Sequence, residues 1–317
     1  MKNSDIKKQT GLWASLIGEP TPAKTSGLTF SLATVGIIVT SFLWMTILII
    51  VGATQQEGYA QTDWYLYVSY VLTPIVFALV AGGLLHWTKT PLKRAWEGQL
   101  CPPKYYLIAV LLQVGLFSLS QINNLFLEFL GNFGYQQAPI QIPSMEGFGF
   151  ISVLFVIGVL PAIFEEILFR GFLLKGLRSF GEVGAVLLCG GLFALFHQNP
   201  AQTLYQFCCG VAFAYVALKS ESVLPTILSH FINNAIILTL TKFGISTFDS
   251  LVGWIVFGVS VLCLIASMVC LFMDKQPKKE ELSKEEKQAE RVLFFKSSAV
   301  GIVICALIWL MTLFVGM

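Results

Sequence analysis

Residues 147–177 read GFGFISVLFVIGVLPAIFEEILFRGFLLKGL. Almost every position is apolar, yet two adjacent carboxylates, Glu165 and Glu166, stand near the middle, with Arg170 one turn beyond. A helix needs roughly 20 apolar residues to cross a bilayer. This stretch is longer than that, and as one straight helix it would reach about 46 Å. Pro161 has no N–H and its ring crowds the preceding turn, so it is expected to kink or break the helix and leave 161–178 as a unit of its own. Ionisable side chains inside a membrane span are costly and mark function by default. The stretch therefore points both to a membrane fold and to a site within it.

The rest of the 317-residue chain agrees. It is 56% hydrophobic and 12% charged, with a mean hydropathy of +0.75. Soluble domains average about 25% charged residues, and half that density cannot cover a water-exposed surface. Disorder, a collagen-like fibre and a secreted disulfide scaffold are excluded on the same grounds. A net charge of +2 offers no basic face for nucleic acid. Six of the seven cysteines lie in apolar stretches, and there is no CxxC pair, so they read as free thiols. The polar lead before the first apolar run is too long for a cleaved signal peptide.

Working outward, candidate spans fall at 28–53, 64–86, 105–122, 147–177, 181–198, 201–219, 222–242, 250–273 and 293–316. The expected fold is all-α, a polytopic bundle of eight or nine transmembrane helices. Its divisions are a tail, 1–27, then N-terminal helices, 28–146, and a catalytic core, 147–242. C-terminal helices, 243–317, carry a charged loop at 274–292. Basic residues sort to one side. Lys2, Lys7, Lys8 and Lys24 are in the tail, and Lys89, Lys93, Arg94 and Lys104 lie in or beside the second loop. Lys175, Arg178, Lys219 and the six basic residues of 274–292 follow on the same side, whereas Lys242 stands on the other. The positive-inside rule then puts the N-terminus and the 274–292 loop in the cytoplasm, and an odd span count puts the C-terminus outside. The loop reads as a solvated helix or linker, with partner docking as the alternative. Short loops favour a bacterial plasma membrane.

Glu165 and Glu166 are the only carboxylates deep within a span, Glu182 standing at the very start of 181–198, and His197 and His230 also lie in spans. Glu166 and Arg170 are i, i+4 and can pair, while Glu165 is turned about 100° away toward another neighbour. From a turn near Phe180–Gly181, Glu165 lies about 22 Å along one helix and His197 about 25 Å along the next. His230 and Asn234 are i, i+4 on one face, at about 14 Å and 20 Å from the turn near Glu221. A carboxylate, two imidazoles and a carboxamide can therefore meet below the membrane surface.

The segments EEILFR (Glu165–Arg170), FALFH (Phe193–His197) and HFINN (His230–Asn234) resemble the EExxxR, FxxxH and HxxxN motifs of the CAAX-protease and bacteriocin-processing (CPBP, or Abi) family of intramembrane endopeptidases. That family includes the type II CAAX prenyl endopeptidases. All three motifs occur in order, over about 155–240. The resemblance implies hydrolysis of a peptide bond in a membrane-embedded or lipidated substrate. Glu165 would activate water as general base, and His197 would hold the water or act as second acid/base. His230 and Asn234 would donate to the developing oxyanion. Glu166 and Arg170 would support them, and Phe193 would orient His197, although core packing explains Phe193 equally well. The family is described both as metalloproteases and as glutamate proteases. Metal-independent chemistry is favoured here because HExxH is absent; zinc held by Glu165, His197 and His230 is the alternative. Two other classes compete: a non-catalytic membrane scaffold or regulator, and a proton-coupled transporter using the same residues.

Overall fold

The computed structural model describes residues 20–90, 100–245, 251–275 and 282–317. Of the basic residues that set the charge asymmetry, Lys2, Lys7, Lys8, Lys93, Arg94, Lys278 and Lys279 lie outside these. The described residues form helices and contain no strand. In chain order the main helices are α1 (Pro22–Ile50), α2 (Asp63–Thr88), α3 (Pro103–Leu116), α4 (Leu119–Gly131), α5 (149–176), α6 (Gly181–Phe196), α7 (Thr203–Ser220), α8 (Leu224–Phe243), α9 (Leu251–Met273) and α10 (Lys284–Val315). Among the described residues, eight helical stretches are long and apolar enough to cross a membrane, the longest being the 48-residue Gly149–Phe196. The protein is a multi-pass membrane bundle.

That longest stretch is not one rod. A 3-10 turn at Leu177–Phe180 ends α5, and Gly181 then adopts φ 77°, ψ 172°, a conformation open to glycine and strained for other residues. The chain folds back there. The Phe169 and Phe193 rings stand 5.0 Å apart, edge to face, and Cys189 Sγ donates to Phe169 O at 3.6 Å, so α5 and α6 lie side by side. The expected turn near Phe180–Gly181 is where the structure has it.

Three boundaries differ from those read in the sequence. First, Pro161 does not break α5. Leu154–Val159 is π-helical, the wider winding placed just before the proline, and the helix continues through Leu160–Glu166. The wider turn makes room for a ring that would clash in regular α-helix. Second, the third span does not end at 122. The helix breaks at 117–118 and resumes as α4, whose Ile122, Leu125 and Phe129 are exposed on one side. Its Asn123 turns inward, donating to Ala201 O at 3.0 Å and accepting from Tyr205 N at 3.2 Å. Ile122, Leu125 and Phe129 suit contact with lipid, while Asn124 and Glu128 of the same helix are exposed beside them. Third, α1 begins at Pro22 rather than 28, capped by Thr21 Oγ1, which accepts from Lys24 N at 3.3 Å. Lys24, Ser26 and Thr29 are polar yet buried, because they face other helices.

Helices α1 and α10, from opposite ends of the chain, pack along small residues. Ser31 Oγ donates to Ser297 O at 2.7 Å and accepts from Gly301 N at 3.2 Å. Such seams let helix backbones approach closely in lipid, where no hydrophobic force pulls them together. Ser26 Oγ of α1 also donates to Leu173 O of α5. One apolar core, including Phe30, Phe77, Phe169, Phe193 and Phe294, ties α1, α2, α5, α6 and α10 together. A second, including Tyr105, Leu112, Phe213 and Leu271, joins α3, α7 and α9.

Most described basic residues gather at one end of the bundle. There Lys104 pairs with Asp274 at 2.8 Å, Lys219 with Glu182 at 3.1 Å, and Arg291 donates twice to Ser179 O at 3.0 and 2.8 Å. The described part of the charged loop is helical from Lys284, continuous with the last span, and Ser283 and Glu286 form its capping box. At the other end Gln136 N donates to Gly316 O at 2.7 Å, Ser144 N to Asp63 Oδ1 at 2.8 Å, and Lys242 lies over Phe150.

Candidate active site

Helix α5 carries Glu165, Glu166 and Arg170 at mid-length, α6 carries Phe193 and ends at His197, and α8 carries His230 and Asn234. Glu166 and Arg170 form the expected i, i+4 pair: Arg170 Nη1 donates to Glu166 Oε1 at 2.7 Å, with both side chains at 0% exposure. A charge pair so deeply buried needs further partners to offset its lost hydration. Arg170 Nη2 finds one in Gly210 O at 3.1 Å. That carbonyl is within reach because α6 and α7 cross at two glycines; a Cβ on Gly210 would sit 2.8 Å from Gly190 Cα. Aromatic faces close the cage, with the guanidinium carbon 4.5 Å from the Phe193 ring centroid and 5.3 Å from that of Phe213.

Glu166 also fixes His230, whose Nδ1 lies 2.9 Å from Oε1. A carboxylate only accepts, so Nδ1 carries the hydrogen. The other nitrogen, Nε2, then faces Glu165 Oε2 at 4.0 Å. Glu165 is the more open of the two glutamates, with 15% of its side chain exposed. The adjacent pair is thus divided as the helix geometry requires: one carboxylate is sealed in a cation pair, and the other is turned toward a second histidine face.

His197 Nδ1 is 2.8 Å from Phe193 O, a carbonyl one turn earlier, so this ring too holds its hydrogen on Nδ1 and turns Nε2 outward. Phe193 stacks edge to face on His197 at 4.7 Å and on His230 at 6.0 Å. It therefore touches both histidines as well as Arg170. All seven residues singled out from the sequence lie in this one region of α5, α6 and α8.

Asn234 is engaged differently. Its Nδ2 donates to Ile157 O at 3.3 Å. Ile157 lies in the π-helical turns that precede Pro161, where the backbone ladder is irregular. The carboxamide thus serves a carbonyl of that irregular stretch and ties α8 to α5. Its Oδ1 accepts from Asn233 Nδ2 at 3.2 Å, and Asn233 belongs to a buried polar cluster with Gln113 and Tyr205.

Motif reading missed Phe213, Gly210, Gln113 and Tyr205. Scanning spans for charge cannot find a ring, a carbonyl or neutral amides. A scan for every polar residue within a span would have raised Gln113, which stands alone in an apolar run. Among the described residues, no three His, Cys, Asp or Glu side chains are grouped to hold a metal ion. Glu166 is held by Arg170.

Residues 147–236, which include all three motifs, match a family model described as type II CAAX prenyl endopeptidase Rce1-like. No curated protein and no solved structure matches the chain.

Proposed function

Since the chain belongs, through residues 147–236, to the type II CAAX prenyl endopeptidase Rce1-like family of intramembrane endopeptidases, we propose that it hydrolyses a peptide bond in a membrane-embedded or lipidated peptide, with Glu165 as general base. The observation that carries this reading is the 4.0 Å separation of Glu165 Oε2 and His230 Nε2. It is too long for a direct hydrogen bond and suits a bridging water. Both atoms are acceptors in the resting site: Glu165 as a carboxylate, and His230 Nε2 because Nδ1 holds that ring's hydrogen. A water between them donates one hydrogen to each and presents its oxygen lone pair outward, toward a scissile carbonyl.

In the proposed sequence Glu165 takes the water proton as the oxygen adds to the carbonyl carbon. The second N–H of Asn234, the one not given to Ile157 O, receives the developing oxyanion. The intermediate collapses, the C–N bond breaks, and the leaving nitrogen takes the proton that Glu165 holds. The new carboxylic acid passes its proton by way of His197 Nε2 to the freed amine, so the products are a carboxylate and an ammonium group. This sequence moves His230 from oxyanion donor, the role expected from sequence, to water holder. A neutral ring whose hydrogen faces Glu166 has none left to give at Nε2. We further propose that the end bearing Lys104, Lys219 and Arg291 faces the cytoplasm, by the positive-inside rule.

The test is cleavage by purified full-length protein in nanodiscs. The probes are a quenched peptide ending in farnesyl-cysteine, two aliphatic residues and a variable last residue, its unprenylated twin, and a library of membrane peptides. Glu165→Gln is expected to lower kcat by about 10²–10⁴-fold, the usual worth of a positioned base, while the protein stays monodisperse. Chelator is expected to change nothing. Loss of activity on chelation with recovery on zinc overturns the metal-free mechanism. No cleavage of any probe by the wild type overturns the endopeptidase reading.

A further inference from the structure

We propose that Gln113, on α3 and outside the matched segment, is a positioning residue that sets which way the Asn234 carboxamide points. The inference rests on the endopeptidase reading and adds to it a part of the chain that no motif covers. Gln113 is fully buried, and Asn233 is 4% exposed. Gln113 Nε2 donates to Asn233 Oδ1 at 2.8 Å, and Tyr205 Oη of α7 donates to the same oxygen at 2.8 Å. Gln113 Oε1 in turn lies 3.2 Å from Ser229 Oγ, whose hydroxyl is also 3.2 Å from Ala109 O.

The polarity of this chain runs one way. Two donors on Asn233 Oδ1 force Asn233 Nδ2 toward Asn234. Asn233 Nδ2 donates to Asn234 Oδ1 at 3.2 Å, which forces Asn234 Nδ2 toward Ile157 O. An amide can rotate end for end at little cost in shape, so packing alone does not choose its direction. The relay from α3 and α7 chooses it. The consequence at the site is that Asn234 keeps its N–H groups, rather than its carbonyl oxygen, on the side of α5. One is spent on the carbonyl beside Pro161 and one is left for the substrate oxyanion. Flipped, the same residue would present an acceptor to Ile157 O and to a negative charge, and both contacts would repel.

Gln113→Met keeps the length of the side chain and removes the relay. Because an oxyanion contact is made only in the transition state, its loosening falls on kcat and not on KM. Outright loss of one such donor costs about 10²–10³ in kcat, so we expect a fall of about tenfold for Gln113→Met at constant KM. In an Asn234→Ala background the same substitution should have no further effect, since both act through one group. Additive losses, a change confined to KM, or an unchanged kcat in folded protein overturn the proposal. If Gln113→Met does not fold, Tyr205→Phe removes the second donor to Asn233 with one atom lost. It should lower kcat in the same direction, and an unchanged kcat there overturns the proposal equally. If the wild type cleaves no probe, the endopeptidase reading has failed, and amide hydrogen exchange over 155–162 decides the coupling. Exchange that quickens alike in Gln113→Met and Asn234→Ala supports it, and unchanged exchange in Gln113→Met overturns it.

Discussion

Arg170 shows why the two glutamates are not equivalent. Its guanidinium serves Glu166 and Gly210 O with separate nitrogens while lying among three aromatic rings. A lysine offers one nitrogen in place of a planar fork and cannot meet both partners. Arg170→Met leaves Glu166 buried without its cation and with only the His230 hydrogen bond, and breaking a buried pair in this way costs about 3–5 kcal/mol. Thermal unfolding in detergent should show that loss for Arg170→Met and most of it for Arg170→Lys. Much of this was legible in the sequence, because an i, i+4 spacing in an apolar run has few other uses. The separate role of Glu165 followed from the same geometry. The tautomers of His197 and His230 were not legible, because each is set by a partner on another turn or another helix: Phe193 O and Glu166.

At the scale of the helix, proline and asparagine form one feature. The π-helical turns at Leu154–Val159 let α5 pass Pro161 without stopping, and Asn234 serves a carbonyl within those turns. Pro161→Ala supplies a backbone N–H and favours return of the turns to regular α-helix, in which residue 161 donates to Ile157 O in place of Asn234. The variant should fold at least as stably as the wild type, yet lose about tenfold or more in kcat as Asn234 is displaced, if it is an oxyanion donor. Thermal unfolding beside steady-state kinetics separates the two effects. The glycine crossing of α6 and α7 is the other case. A Cβ on Gly210 meets the backbone of Gly190 and must push the helices apart. Gly210→Ala should cost about 1–3 kcal/mol, the usual cost of overpacking, and should carry the Gly210 carbonyl away from Arg170. Sequence alone placed the span centres well, because hydropathy is averaged over many residues. It misplaced the ends at 28 and 122, where polar side chains such as Ser26 and Asn123 face other helices rather than water, and where a helix resumes after a two-residue break.

For the molecule as a whole, the two ends of α10 lie on opposite faces: Lys284 beside Pro22 of α1 with the basic cluster, Gly316 with the 136–144 segment. A green fluorescent protein fused after Met317 should therefore be dark, and alkaline phosphatase fused there active, with the reverse for insertions at Ser283. A bright C-terminal fusion would reject the proposed orientation. Between those faces, α10 supports the loop that follows His197. Gln198, held at φ 53°, donates to Cys305 Sγ at 3.5 Å, and Trp309 Nε1 donates to Thr203 Oγ1 at 2.7 Å. Helix α1 waits for the same partner, since its small-residue seam is matched by Ser297 and Gly301. The ribosome makes α10 after every helix that carries the site. Until α10 is inserted, the nascent chain holds its carboxylates and histidines in the membrane without the helix that steadies the His197 loop, so the site is assembled in two stages.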